Sequence, residues 1–127
     1  MTTALWMIPA AALLPYIWVL LAKFGPGYDN HRPREMLAAL EGWRKRANWA
    51  QLNAFEAFPA FAAAVLIAHM VTGPSARSDS LALGFIAFRV LHGILYILDR
   101  ASLRSLAWLG GFACVTGLFL VAAGVWK

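Results

Sequence analysis

The sequence predicts an all-α integral membrane bundle of four helices in up-down order, and three observations predict it. Hydrophobic residues make up 61% of the 127-residue chain. Charged residues make up only 13%, about half the share of a typical soluble domain. The apolar residues gather into four runs, 5–22, 47–72, 81–98 and 105–126, each near the roughly 20 residues a helix needs to cross the hydrocarbon core. An open strand edge in lipid would leave backbone groups unpaired. Helices at about 4–24, 46–72, 81–98 and 105–126 follow, forming a single transmembrane domain over 1–127.

The first run carries no charge, and Lys23 follows it while Met1-Thr2-Thr3 brings no basic residue. It reads as a retained helix rather than a secretory leader, whose basic residues would come first. In the connection that follows, Pro33 can open a short helix on which Met36, Leu37, Leu40 and Trp43 share a face, with Gly42 where such a helix would fray. The segment is either an interfacial amphipathic helix with a basic end or a solvated basic loop. The second run contains only Glu56, and Pro59 one turn later is expected to kink it. A plain Gly-Pro-Ser turn leads to the third run, which contains only Arg89. The fourth is uncharged and holds Cys114, the single cysteine, as a packing residue.

A net charge of +5 in a soluble chain would suggest nucleic acid. Here the basic residues flank apolar runs, where they set orientation and meet anionic head groups, so nucleic acid is set aside as a partner. Lys23, Arg32, Arg34, Arg44, Lys45, Arg46, Arg100 and Arg104 lie in or beside the first and third connections, against only Arg77 and Lys127 on the other side. The excess places those connections in the cytoplasm and both termini on the non-cytoplasmic side. Short loops suit a bacterial inner (plasma) membrane.

The informative residues are those that lipid should reject. On the second helix Arg46, Trp49, Asn53 and Glu56 fall on one stripe, and Arg89, His92, Tyr96 and Asp99 share a face of the third. Glu56 lies ten residues from Arg46 and Arg89 ten from Asp99, so both sit roughly 15 Å above the basic end. The two are expected to pair, because either charge alone costs at least about 3 kcal/mol at such depth. Asn53 and His92 are expected level with each other, closer to that end. The polar stripe is then either an ion pair that locks two helices or the wall of a ligand cavity. Beside it, Ala47, Ala50, Ala54 and Ala57 form a small-residue stripe that lets a neighbouring helix approach closely. Glycine-rich phosphate loops, zinc-ligand spacings and paired carboxylates are missing from the sequence.

Several stretches resemble the membrane-associated proteins in eicosanoid and glutathione metabolism, the MAPEG family. Asn30-His-Arg-Pro-Arg34 is similar to its Asn-x-x-Pro-Arg loop, Asn53-Ala-Phe-Glu56 with Pro59 to its second-helix signature, Arg89-Val-Leu-His92 with Tyr96 to its third, and Arg104-Ser105 to the pair that opens its fourth helix. The resemblance implies a homotrimer with glutathione as co-substrate near the basic end. It further implies that Asn53, Glu56, Arg89, His92 and Tyr96 bind the thiol peptide, while Arg104 and Ser105 stabilise its thiolate. The implied activity is a membrane-bound transferase or peroxidase using glutathione or a related thiol on a lipophilic small molecule. Trp49 and Leu52 stand where several glutathione-using members carry a basic residue, and Ala57 stands where leukotriene-forming members carry Tyr. The alternative is therefore a catalytically silent membrane subunit of the same fold that binds lipid, a quinone or a larger membrane complex.

Overall fold

The computed structural model describes residues 1–126; Lys127, counted with the less basic side, lies outside the described residues. Five helices follow in order: α1 (Thr3–Lys23), α2 (Pro33–Ala39), α3 (Gly42–Thr72), α4 (Ala76–Ile97) and α5 (Ala101–Ala122), with no strand among the described residues. All but α2 are long and apolar enough to cross a membrane. The central pair α3 and α4 is flanked by α1 on one side and α5 on the other, since α1 and α5 each pack on both. Alternating direction brings the start of α3 beside the end of α1 and the end of α4, and the start of α4 beside the start of α1.

All four membrane helices begin earlier than their apolar runs, and side-chain contacts explain two of the starts. Ser75 caps α4, its Oγ accepting from Ser78 N–H, and Asp79 in the first turn of α4 accepts the Ala4 N–H at 2.6 Å, tying down the start of α1. At the other end Arg44 Nε donates to the Ala22 carbonyl at 2.9 Å and Arg46 Nε to the Ile97 carbonyl at 3.1 Å. Two guanidinium groups on the first turn and a half of α3 thus satisfy the carbonyls that helix ends leave orphaned. With 31 residues α3 runs unbroken through Pro59. Its length of roughly 46 Å outreaches the roughly 30 Å hydrocarbon core.

Two expectations about the first connection need correction. The short helix stops at Ala39, and Trp43 belongs to α3, off the face of Met36 and Leu37. Gly42 does not fray the short helix; with φ +63° it supplies the backbone reversal that starts α3. Leu40 is buried against Ala22 and Ala47, with Leu37 packed beside it, so α2 is pinned to the bundle by its apolar side.

The core is divided by depth. Phe61 stacks on Phe85 with ring centroids 3.9 Å apart, amid Ala64, Val65, Ala82 and Leu118. Nearer the basic end, Leu14 and Trp18 of α1 cover Ala50 and Ala54. The alanine stripe is therefore consumed inside the chain, because Ala47, Ala50 and Ala54 are buried under α1 rather than offered to a second copy. Small side chains let backbones approach and gain packing contacts, the main attraction available in lipid.

Candidate functional site

The polar stripes of α3 and α4 face each other, with α5 closing the third side. Arg89 is 97% buried. Its aliphatic stem crosses Gly111 of α5, where an added Cβ would lie 3.5 Å from Cδ. The expected ion pair does not form directly, since among the described residues no carboxylate lies within 4 Å of Arg89. Asn53 stands between them instead. Arg89 Nη2 donates to Asn53 Oδ1 at 2.6 Å, and Asn53 Nδ2 donates to Glu56 Oε2 at 3.3 Å. The amide suits this relay because one end accepts while the other donates. Glu56 itself is exposed on the bundle surface.

Toward the basic end the aromatic rings take over. Tyr96 meets His92 edge to face at 5.5 Å and Trp49 at 6.2 Å. The Arg104 guanidinium lies 4.3 Å above the Tyr96 ring, and Lys45 Nζ lies 5.6 Å from the Trp49 ring. Lys45 and Arg104 thus stand at the two ends of the Trp49 and Tyr96 pair, each cation held over a negative ring face. His92 is buried, and its Nδ1 and the Nε of Arg89 have no hydrogen-bond partner among the described residues.

Two adjoining cavities result. One of about 230 Å³ is lined by Asn53, His92, Tyr96, Arg104, Ser105 and Trp108. The second, about 250 Å³, has Asn53, Glu56 and Arg89 at its polar side and Phe85, Trp108 and Phe112 among its apolar walls. Asn53 and Trp108 line both. All seven residues singled out in the sequence thus line one cavity or the other.

Several details differ from the sequence reading. Asp99 leaves the polar face, because α4 ends at Ile97 and Asp99 sits exposed in the turn with φ +57°. Arg46 caps α4 and lines neither cavity. Ser105 Oγ donates to the Ala101 carbonyl at 3.1 Å, which commits its proton to its own helix. Trp108 and Phe112, stacked with centroids 5.4 Å apart, were missed. Reading α5 at helical spacing from Arg104 reaches Trp108 after one turn and Phe112 after two.

A model of the MAPEG family matches residues 3–124. Comparison with curated proteins and with solved structures gives no match.

Proposed function

Because the chain belongs to the MAPEG family, we propose that it is a membrane-bound transferase or peroxidase that uses glutathione or a related thiol on lipophilic substrates. The observation that carries this reading is the joining of a polar cavity, with Arg104 at its wall, to an apolar one through Asn53 and Trp108. A thiol peptide is polar, and a bilayer-dissolved electrophile is not. The two compartments offer each its own surroundings, with the reacting atoms meeting where they join.

In this reading Glu56 receives the peptide's ammonium, while Arg89 Nε and His92 Nδ1, which lack partners among the described residues, meet its carboxylate and amide groups. Arg104 stabilises the thiolate, since a neighbouring guanidinium lowers a thiol's pKa and the thiolate is the nucleophile. Its planar face rests on Tyr96 while its edge keeps N–H donors for sulfur. In conjugation the thiol proton passes to water, the sulfur forms a bond to the electrophilic carbon, and the leaving group departs with its bonding electrons. Ser105 orients rather than donates, given its bond to Ala101.

The trimer forms part of this proposal and draws on family membership, since the alanine stripe is used up within the chain. The second reading, a catalytically silent subunit binding lipid, a quinone or a larger complex, draws on Trp49. Its ring lies between Lys45 and Tyr96, at a position where several glutathione-using members carry a cation.

Thermal unfolding of the detergent-purified protein with and without millimolar glutathione tests the choice. Ligand at about 100 times its Kd adds close to 3 kcal/mol of stability, which raises Tm by several degrees. An unmoved Tm, with no conjugation of an aryl halide by any thiol offered, would give the silent subunit the lead.

A further inference from the structure

At the end of the bundle opposite the candidate site, Arg77 is the one Lys or Arg side chain among the described residues. No carboxylate of the described residues lies within 4 Å of it; nearby Asp79 is instead bonded to the Ala4 N–H. Its guanidinium lies 5.3 Å over the Trp126 ring. This pair of residues stands between two clefts. One, about 470 Å³, has Arg77, Ser80 and Trp126 at its rim and runs down along Leu81 to Cys114. The other, about 260 Å³, lies on the far side among Thr72, Ser75 and Val121. Gly117 keeps the larger cleft compact, since a Cβ there would meet both Leu81 and Trp126 at 3.0 Å.

We propose that the larger cleft holds an anionic phospholipid, its phosphate on Arg77 and the proximal part of an acyl chain along Leu81 and Cys114. Three features of the cleft select that occupant. Arg77 begins the first turn of a membrane-spanning helix, which places it at head-group depth. A guanidinium that lies over a ring, with no carboxylate of the described residues within 4 Å, keeps N–H donors for the two oxygens of a phosphate. The wall below the charge is apolar, as hydrocarbon requires and as a free anion does not. Basic pockets between transmembrane helices bind acidic head groups for these reasons. A carboxylate peptide would leave the Leu81 and Cys114 wall uncovered.

Native mass spectrometry of the intact protein, released from vesicles of equal phosphatidylglycerol and phosphatidylcholine, tests the proposal. Retained phosphatidylglycerol should exceed phosphatidylcholine about five-fold, the worth of one guanidinium at a membrane surface. Arg77→Gln should bring the ratio to about one, while Arg100→Gln at the other end leaves it unchanged. Leu81→Trp, which fills the cleft and spares the charge, should lower retention of both lipids. Equal retention by the unaltered protein overturns the proposal, as does a preference that survives Arg77→Gln or disappears with Arg100→Gln. Displacement of phosphatidylglycerol by millimolar inorganic phosphate would overturn it too, marking a site for the free anion.

Discussion

Arg89 reaches Glu56 only through Asn53: its Nη2 donates to the amide oxygen at 2.6 Å, and the amide nitrogen passes the contact on at 3.3 Å. The amide is therefore the sole acceptor that the buried guanidinium has among the described residues. Asn53→Ala should cost about 1.5 to 3 kcal/mol, the worth of a hydrogen bond to a charged group. Asn53→Asp should restore only part of it, because a carboxylate accepts the Arg89 bond but replaces the donor to Glu56 with a like charge. The melting temperature in detergent reads both variants, and an Asn53→Ala protein that melts like the parent would remove Asn53 from the core of the site.

The same geometry makes Glu56 and Arg89 unequal. Arg89 is 97% buried while Glu56 is exposed, so removing the carboxylate leaves the cation's direct acceptor in place. Glu56→Gln should stay within about 0.5 kcal/mol of the parent, as surface substitutions usually do. Arg89→Met strands the Asn53 oxygen but also spares the cost of a buried charge, so the double variant should melt close to Arg89→Met alone. A double-mutant cycle with strong coupling between positions 56 and 89 would restore the direct pair. If the carboxylate serves a ligand, Glu56→Gln loses binding while keeping its Tm.

Gly93 and Trp18 give a packing prediction that needs no ligand. A Cβ at Gly93 would run into the Trp18 ring, which is buried against α3 and α4. Overpacking of this kind costs about 1 to 3 kcal/mol, so Gly93→Ala should lower Tm. Adding Trp18→Leu should recover part of the loss, since the smaller side chain vacates the colliding atoms. Losses that simply add would mean the two positions do not touch.

The contrast between helix count and helix ends shows where the sequence is informative. Lipid enforces one length of apolar run, so four spans are legible from composition alone. Hydropathy marks the span and not the helix, which is why Arg44 and Lys45, read as loop charges, lie inside α3. Level counting along two helices brings Glu56 and Arg89 to one depth. It carries no information on lateral reach, and the amide of Asn53 fills that gap. The aromatic side of the site is hidden for another reason: Trp108 and Phe112 look like ordinary lipid-facing residues until Arg104 fixes the face that they share.

Lys and Arg crowd at one end, where Arg44 and Arg46 also cap helix ends, and that asymmetry predicts this end in the cytoplasm. Cys114 is 8% exposed and lines a cleft, so labelling experiments belong in a Cys114→Ser background. A cysteine at Ser75 should react with an impermeant maleimide in intact cells, and one at Glu35 only after lysis. The reverse pattern would invert the bundle and put the candidate site on the outer face.

Arg104 offers the sharpest separation of chemistry from scaffold. Its guanidinium rests on the Tyr96 ring at the wall of the polar cavity, and no described carboxylate within 4 Å competes for its charge. If it stabilises a thiolate, the bound thiol ionises below the roughly 8.5 of a free thiol, and conjugation at neutral pH runs on the ionised fraction. Arg104→Ala then moves the rise of kcat with pH, which reports the bound thiol, upward toward about 8.5. Each unit of that movement lowers the rate at pH 7 by about ten-fold. Arg104→Lys keeps the charge and loses the planar stack, so its profile should fall between the two. Ser105→Ala should leave the profile where it was, because that hydroxyl already donates to Ala101. A lowered rate with an unmoved profile in Arg104→Ala would make the guanidinium a positioning group for the peptide. An unchanged rate would take it out of the reaction, and the cation over Tyr96 would then serve to close the mouth of the bundle.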